Sequence, residues 1–214
     1  MNKPWLLVLC LLMAGCGEGE RKLVKTAEGG SKPAGADDGA PEVSLNDAAA
    51  SSIKPEQDDN LTLQVLNWEE TQKLVAGHMG KVVVVDLWSS DCLPCLQEFP
   101  HFVEFQNKHK GEVVCLSVNF NYVGYQSETP ESHREQVLEF LTRHQANFQH
   151  VISSVPSEEI YMQLDLGSVP ATYVYDRNGQ LKKRFDSGQK EYGKEGFTYQ
   201  KHVTPFVERL LAND

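Results

Sequence analysis

An aliphatic run that ends in a pair of closely spaced cysteines constrains the fold more than any other feature of this sequence. Residues 81–87 read Lys-Val-Val-Val-Val-Asp-Leu, and Trp88-Ser89-Ser90-Asp91-Cys92-Leu93-Pro94-Cys95 follows at once. A short, almost wholly apolar run rich in valine predicts a strand buried on both faces. Residues 92–108 then place Leu96, Phe99, Phe102, Val103 and Phe105 at helical spacing. Two cysteines three apart on the first turn of a helix share one face and close a disulfide with little backbone movement. The helix N-terminus favours a thiolate at Cys92 through its free N–H groups and its dipole.

Strand and helix patterns alternate through the rest of the chain. Residues 61–66 alternate like a strand, and 68–76 have helical spacing that stops at Gly77. Pro100 should kink the 92–108 helix. Residues 113–120 form a second apolar strand, and 131–145 a helix with Val137, Leu138 and Leu141 on one face. A short strand is expected at 148–152, then a helix over 157–164 opened by a Ser-x-Glu cap pattern. Strands at 171–175 and 181–185 flank Asp176-Arg177-Asn178-Gly179, where Asn-Gly signals a tight hairpin. A closing helix covers 199–211. This order predicts a mixed α/β sheet, parallel at its centre with an antiparallel hairpin at one edge.

The N-terminus reads as a targeting segment. Lys3 precedes an apolar stretch at residues 5–13 that is too short to span a bilayer comfortably. Leu12-Met13-Ala14-Gly15-Cys16 resembles a bacterial lipobox, so residues 1–15 are read as a lipoprotein signal peptide and Cys16 as the lipidated residue. Ordinary secretion with cleavage after a small residue is the competing reading. Residues 17–60 contain no aromatic residue and are rich in Gly, Ala, Ser, Pro and acids. Such a stretch reads as a flexible linker, spanning about 35 Å root-mean-square as a coil. An exported compartment permits disulfides, but one close pair plus the odd Cys115 is no structural disulfide framework. The net charge of −10, with no basic patch interleaved with aromatics, argues against nucleic acid as a partner.

Four local features resemble the thioredoxin superfamily over residues 61–211, most closely its membrane-associated TlpA- and ResA-like thiol–disulfide oxidoreductases. Cys92-Leu93-Pro94-Cys95 keeps proline before the second cysteine, and Asp86-Leu87-Trp88 resembles the strand end that carries a buried acid and a tryptophan. Pro100, five residues past Cys95, matches a helix-kinking proline; Gly167-Ser168-Val169-Pro170-Ala171-Thr172 resembles a cis-proline loop facing the dithiol. Cys-x-x-Cys-x-x-Glu98-Phe99-Pro100 and the extra helix at 131–145 favour the TlpA/ResA side.

The resemblance implies a thioredoxin-like fold for residues 61–214, with a central mixed sheet flanked by helices. It implies Cys92 as nucleophile, Cys95 as resolving thiol and Pro170 in the cis form. Trp88, Leu93, Pro94 and Val169 would meet the substrate, and no cofactor is needed. Asp86, at the end of a buried strand, should have a raised pKa and could relay protons to or from Cys95. The implied partners are protein thiols and disulfides, a membrane redox partner that recycles the dithiol, and the bilayer through Cys16. The implied place is extracytoplasmic, on the outer membrane in a Gram-negative host because Gly17 follows Cys16.

Two departures stand out. Thioredoxins pair the buried acid with a lysine on the next strand, where this chain has Cys115, read as a small core residue. Asp91 precedes the first cysteine where the family usually has an aromatic. At about 6 Å its charge would oppose a Cys92 thiolate by about 0.7–2.8 kcal/mol, against 0.3–1 kcal/mol or more from the helix terminus. That balance favours a reductase or a modest isomerase over a strong oxidant. Three other readings compete. Half a zinc site would need two more ligands at second-site spacing, and no other Cys-x-x-Cys or His-x₃₋₅-His stands nearby. A non-catalytic or copper-handling protein on this fold would usually show Cys-x-x-x-Cys and a distant His. A peroxiredoxin would show Thr-x-x-Cys, which Ser89-Ser90-Asp91-Cys92 only loosely resembles.

Overall fold

Valine-rich strands at the centre organise the whole domain. The computed structural model describes residues 60–213; the expected signal peptide, the Cys16 lipidation site and the linker up to residue 59 lie outside the described residues. The elements run β1 (Thr62–Leu66), α1 (Trp68–Gly77), β2 (Val82–Trp88), α2 (Leu93–Lys108), β3 (Val113–Asn119), α3 (Arg134–Arg143), β4 (Gln149–Ser153), α4 (Ser157–Leu164), β5 (Ala171–Tyr175), β6 (Leu181–Asp186) and α5 (Thr204–Asn213). One six-stranded sheet has the order β1-β4-β3-β2-β5-β6. The pairs β1·β4, β4·β3 and β3·β2 are parallel; β2·β5 and β5·β6 are antiparallel. The expected mixed sheet with an antiparallel edge hairpin is what forms.

Every residue of β2 and β3 is buried, as strands covered on both faces require. Alternation splits β2 between two cores. Val82, Val84 and Trp88 pack with Phe99 and Phe102 of α2, Val137 and Leu141 of α3, and Val207 of α5. Val83, Val85 and Leu87 pack on the other face with Trp68 and Val75 of α1 and Ile160 and Leu164 of α4. Asp86 belongs by alternation to the α2 face, opposite Ser117 of β3 and Thr172 of β5. A carboxyl thereby enters the middle of the sheet.

The structure refines four local expectations. Asp176-Arg177-Asn178-Gly179 joins the hairpin strands as expected, in a turn longer than Asn-Gly alone would make. Residues 176–180 form a longer connection in which Asp176 Oδ1 accepts the N–H groups of Asn178 (2.9 Å) and Gln180 (2.8 Å). Gly179 alone takes a positive φ, 74°, and the strand pairing is irregular at Val174/Tyr175, as a turn of this length with a left-handed glycine produces. Ser157 is the first helical residue of α4 behind Pro156, with no side-chain cap bond. The helix expected over 131–145 is a 3₁₀ turn, Pro130–His133, that continues into α3. The closing helix likewise opens with a π-helical turn, Tyr199–Val203, before α5.

A polar chain crosses the α2-side core. Trp88 Nε1–H donates to Ser117 Oγ (3.2 Å), Ser117 Oγ lies 2.7 Å from His150 Nδ1, and His150 Nε2 lies 2.9 Å from the Ala146 carbonyl oxygen. These partners suit a neutral imidazole protonated at Nε2, with the Ser117 hydroxyl donating to Nδ1. Burial pushes His150 down to about 4, because the charged form would sit in the dry interior.

Candidate active site

Cys92 and Cys95 stand where β2 passes into α2, and they are joined by a disulfide with Cα atoms 5.2 Å apart. Cys92 is the N-cap of α2 rather than its first helical residue, and its Sγ accepts the Cys95 N–H at 3.2 Å. Pro94 at the second helical position has no N–H to leave unsatisfied. In the reduced protein, that N–H and the helix dipole would bear on a Cys92 thiolate. Pro100 lies inside α2 as expected, where its missing N–H leaves the Leu96 carbonyl without its usual helical donor.

A polar web holds the turn into Cys92. Asn121 Oδ1 accepts from the Ser90 N–H (2.8 Å), Ser89 Oγ (3.1 Å) and Asn119 Nδ2 (3.0 Å). Its Nδ2 donates to Ser90 Oγ (2.9 Å) and, more weakly, to Gln136 Oε1 on α3 (3.5 Å). Asn121 is itself buried. Asn121→Ala should therefore lower the stability of the oxidised protein by about 2 kcal/mol, since it strands several of these groups. Urea unfolding measures this, and an unchanged midpoint would show that the web does not hold the turn.

The loop before β5 meets the dithiol from the other side. The Val169–Pro170 bond is cis, and Cys92 Sγ stands 3.4 Å from the Val169 carbonyl oxygen. Leu93 is 65 % exposed, and Pro94 is exposed beside it. Both lie exposed at the N-terminal end of α2. Trp88 does not: it is fully buried, packed on Phe99 and Phe140 at centroid distances of 5.0 and 4.7 Å. Its indole N–H already has Ser117 as partner, so Trp88 is a core residue beneath the site and not its wall. Asp91 is exposed. Its charge is therefore screened, and its opposition to a thiolate falls at the low end, about 0.7 kcal/mol.

Asp86 lies beneath the dithiol helix and is buried. Burial lifts its carboxyl to about 7, although hydrogen bonds from Tyr199 and Thr172 pull the other way. The Tyr199 hydroxyl donates to Oδ1 at 2.6 Å, the Thr172 hydroxyl to the same oxygen at 3.1 Å. The buried acid thus has its partner in a tyrosine at the start of the closing helix, not in a residue of the next strand. Tyr199 is 113 residues from Asp86 in sequence, and no periodicity or motif marks it. Glu98, one turn beyond Cys95, accepts the Tyr199 backbone N–H at 2.9 Å. Cys115 is buried, and burial raises its thiol far above the ordinary range. Among the described residues, no three His, Cys, Asp or Glu side chains converge as a metal site.

The site thus joins a closed disulfide on a helix N-terminus, a cis-proline loop against it and a buried acid. Residues 36–198 match the family model described as Redoxin. The chain belongs to the Redoxin family. Within that range lie both cysteines, Asp86 and Pro170; Tyr199 falls just outside. The chain is 25% identical over 127 residues to the thioredoxin-like protein YneN of Bacillus subtilis (strain 168), covering 59% of this chain and 68% of that protein. It is 27% identical over 110 residues to the thiol–disulfide oxidoreductase ResA of Geobacillus kaustophilus (strain HTA426), covering 51% of this chain and 56% of that one. The solution structure of a thioredoxin-like protein in its oxidised form superposes with a TM-score of 0.50 at 21% identity, over 65% of this chain and 84% of the other. That likeness shows the thioredoxin-like fold. As a Redoxin family member with a joined cysteine pair, the chain is a thiol–disulfide oxidoreductase.

Proposed function

We propose that this chain is an extracytoplasmic, lipid-anchored reductase or isomerase of protein disulfides. The observation that carries the reading is the placement of Cys92: at the α2 N-terminus, 3.4 Å from the Val169 carbonyl oxygen in the cis-proline loop. A substrate sulfur must approach Cys92 along that loop, where an extended segment can also pair with backbone. The exposed Leu93 and Pro94 offer apolar contact on the other side.

In the reducing direction, the Cys92 thiolate attacks one sulfur of a substrate disulfide, and the other substrate sulfur leaves as a thiolate. Cys95 loses its proton to Asp86 and attacks Cys92 Sγ. The substrate sulfur bonded to Cys92 then leaves as a thiolate, and the Cys92–Cys95 disulfide forms. Two electrons pass from the dithiol to the substrate. A carboxyl poised near neutrality suits this exchange, because it takes and returns the proton with little driving force in either direction.

The lipobox-like segment ending at Cys16 and the linker after it support an anchored domain outside the cytoplasm. A membrane redox partner would then recycle the dithiol, and cytochrome c maturation is one process that needs such a reductant. Trapping in cells tests the reading. Cys95→Ala should accumulate mixed disulfides with exported cysteine-containing proteins, which mass spectrometry identifies. If the variant traps nothing and the purified wild-type protein fails to reduce insulin, the reading is wrong.

A further inference from the structure

Asp86 receives two hydroxyls on one oxygen, and the closer of them comes from the far end of the chain. We propose that Tyr199 is a positioning residue of the exchange reaction, holding Asp86 in the orientation from which it trades a proton with Cys95. This inference rests on the reading of Asp86 as the proton-transfer group.

The geometry gives Tyr199 little other freedom. Its ring is 1 % exposed and lies on Phe102 of α2 at a centroid distance of 5.2 Å, with planes 29° apart. Its backbone N–H is held by Glu98, three residues beyond Cys95 on the same helix. One residue therefore touches the helix of the resolving cysteine with its backbone and the buried acid with its hydroxyl. The π-helical turn that opens at Tyr199 is a geometry often found at functional sites. Thr172 Oγ1 lies 3.2 Å from the Tyr199 oxygen and completes a closed triangle around Oδ1. With both hydroxyls on Oδ1, the exchangeable proton resides on Oδ2.

The charge balance follows from the same contacts. The groups that bear on Asp86 are Tyr199 from the π turn, Thr172 from β5, Cys115 from β3 and Glu98 from α2, besides the dithiol above it. Burial and the Glu98 charge favour the neutral acid; the two donated hydrogen bonds favour the carboxylate. Burial also holds the Tyr199 phenol far above its ordinary range, so it donates without ionising. The Redoxin match ends at residue 198, so this donor lies beyond the segment matched to the family model.

The test is Tyr199→Phe in the full-length protein, which keeps the stacked ring and removes only the hydroxyl. The Asp86 carboxyl is followed by ¹³C NMR titration, and the rate at which the wild-type dithiol site resolves a mixed disulfide is followed against pH. The midpoint of both should rise by about one pH unit, and resolution at pH 7 should slow about five-fold as less Asp86 is ionised. A variant that loses stability while both midpoints stay in place would overturn the proposal. Asp86→Asn separates the two ideas. If it leaves the pH profile unchanged, the proton-transfer reading itself fails; if it abolishes the titration and Tyr199→Phe still matches wild type, only the role of Tyr199 fails.

Discussion

Asp86→Asn should stabilise the oxidised protein by about 4 kcal/mol at pH 8 and by about 2 kcal/mol at pH 5. The sign follows from where the proton resides. In the fold the carboxyl keeps its proton up to about pH 7, whereas in the unfolded chain it gives it up near its ordinary value of 3.8. Stability from this group is complete below pH 3.8 and is lost as the pH rises toward 7. An asparagine has no proton to lose and still offers Oδ1 to Tyr199 and Thr172. Urea unfolding at pH 5, 6.5 and 8 measures the difference, and equal stabilities at pH 8 would show that Asp86 is not held neutral by burial.

His150 sharpens that experiment. Its imidazole is neutral in the fold down to about pH 4, while an unfolded histidine protonates near its ordinary 6.5. Stability is therefore present above pH 6.5 and falls by about 3 kcal/mol as the pH drops to 4. The two drifts oppose each other over nearly the same range, so the wild-type protein should change little between pH 4 and 7. Asp86→Asn removes one drift and leaves the other exposed. The variant should weaken on acidification where the wild type does not.

Cys92→Ser should abolish disulfide exchange, by about 10⁴-fold or more, because a hydroxyl neither ionises near neutrality nor attacks a disulfide. Cys95→Ser should act differently. It leaves the first attack intact and blocks release, so the enzyme makes one covalent adduct and stops. Insulin turbidity reads the first variant and non-reducing electrophoresis the second. If Cys92→Ser kept substantial activity, Cys95 would be the nucleophile and the assignment would reverse.

The features legible in the sequence were local or periodic. The valine runs of β2 and β3 announced strands covered on both faces, and the spacing of Phe99, Phe102 and Val103 announced the face of α2. Cys92 and Cys95 were legible because three residues of spacing is itself a chemical statement. Pro170 came through its resemblance to a known loop. Tyr199, Asn121 and His150 were not legible, since each matters through a partner far away in sequence and none sits in a repeating pattern. The burial of Trp88 is hidden from the sequence for a related reason: the ring of α3 that covers it, Phe140, follows it by 52 residues. At residues 176–180 the Asn-Gly signal marked the hairpin, while its length is set by Asp176, whose carboxylate gathers two backbone donors.

The inaccessible Cys115 has a practical consequence for anyone who wishes to weigh this protein. An alkylating reagent needs an exposed thiolate, and Cys115 offers neither exposure nor ionisation. Cys95 is buried as deeply, so peptides from the folded domain, quenched with such a reagent before denaturation, should carry one label, on Cys92, when reduced and none when oxidised. The ratio of those two masses, taken across a series of glutathione buffers, is then a direct gauge of how strongly the protein holds its electrons.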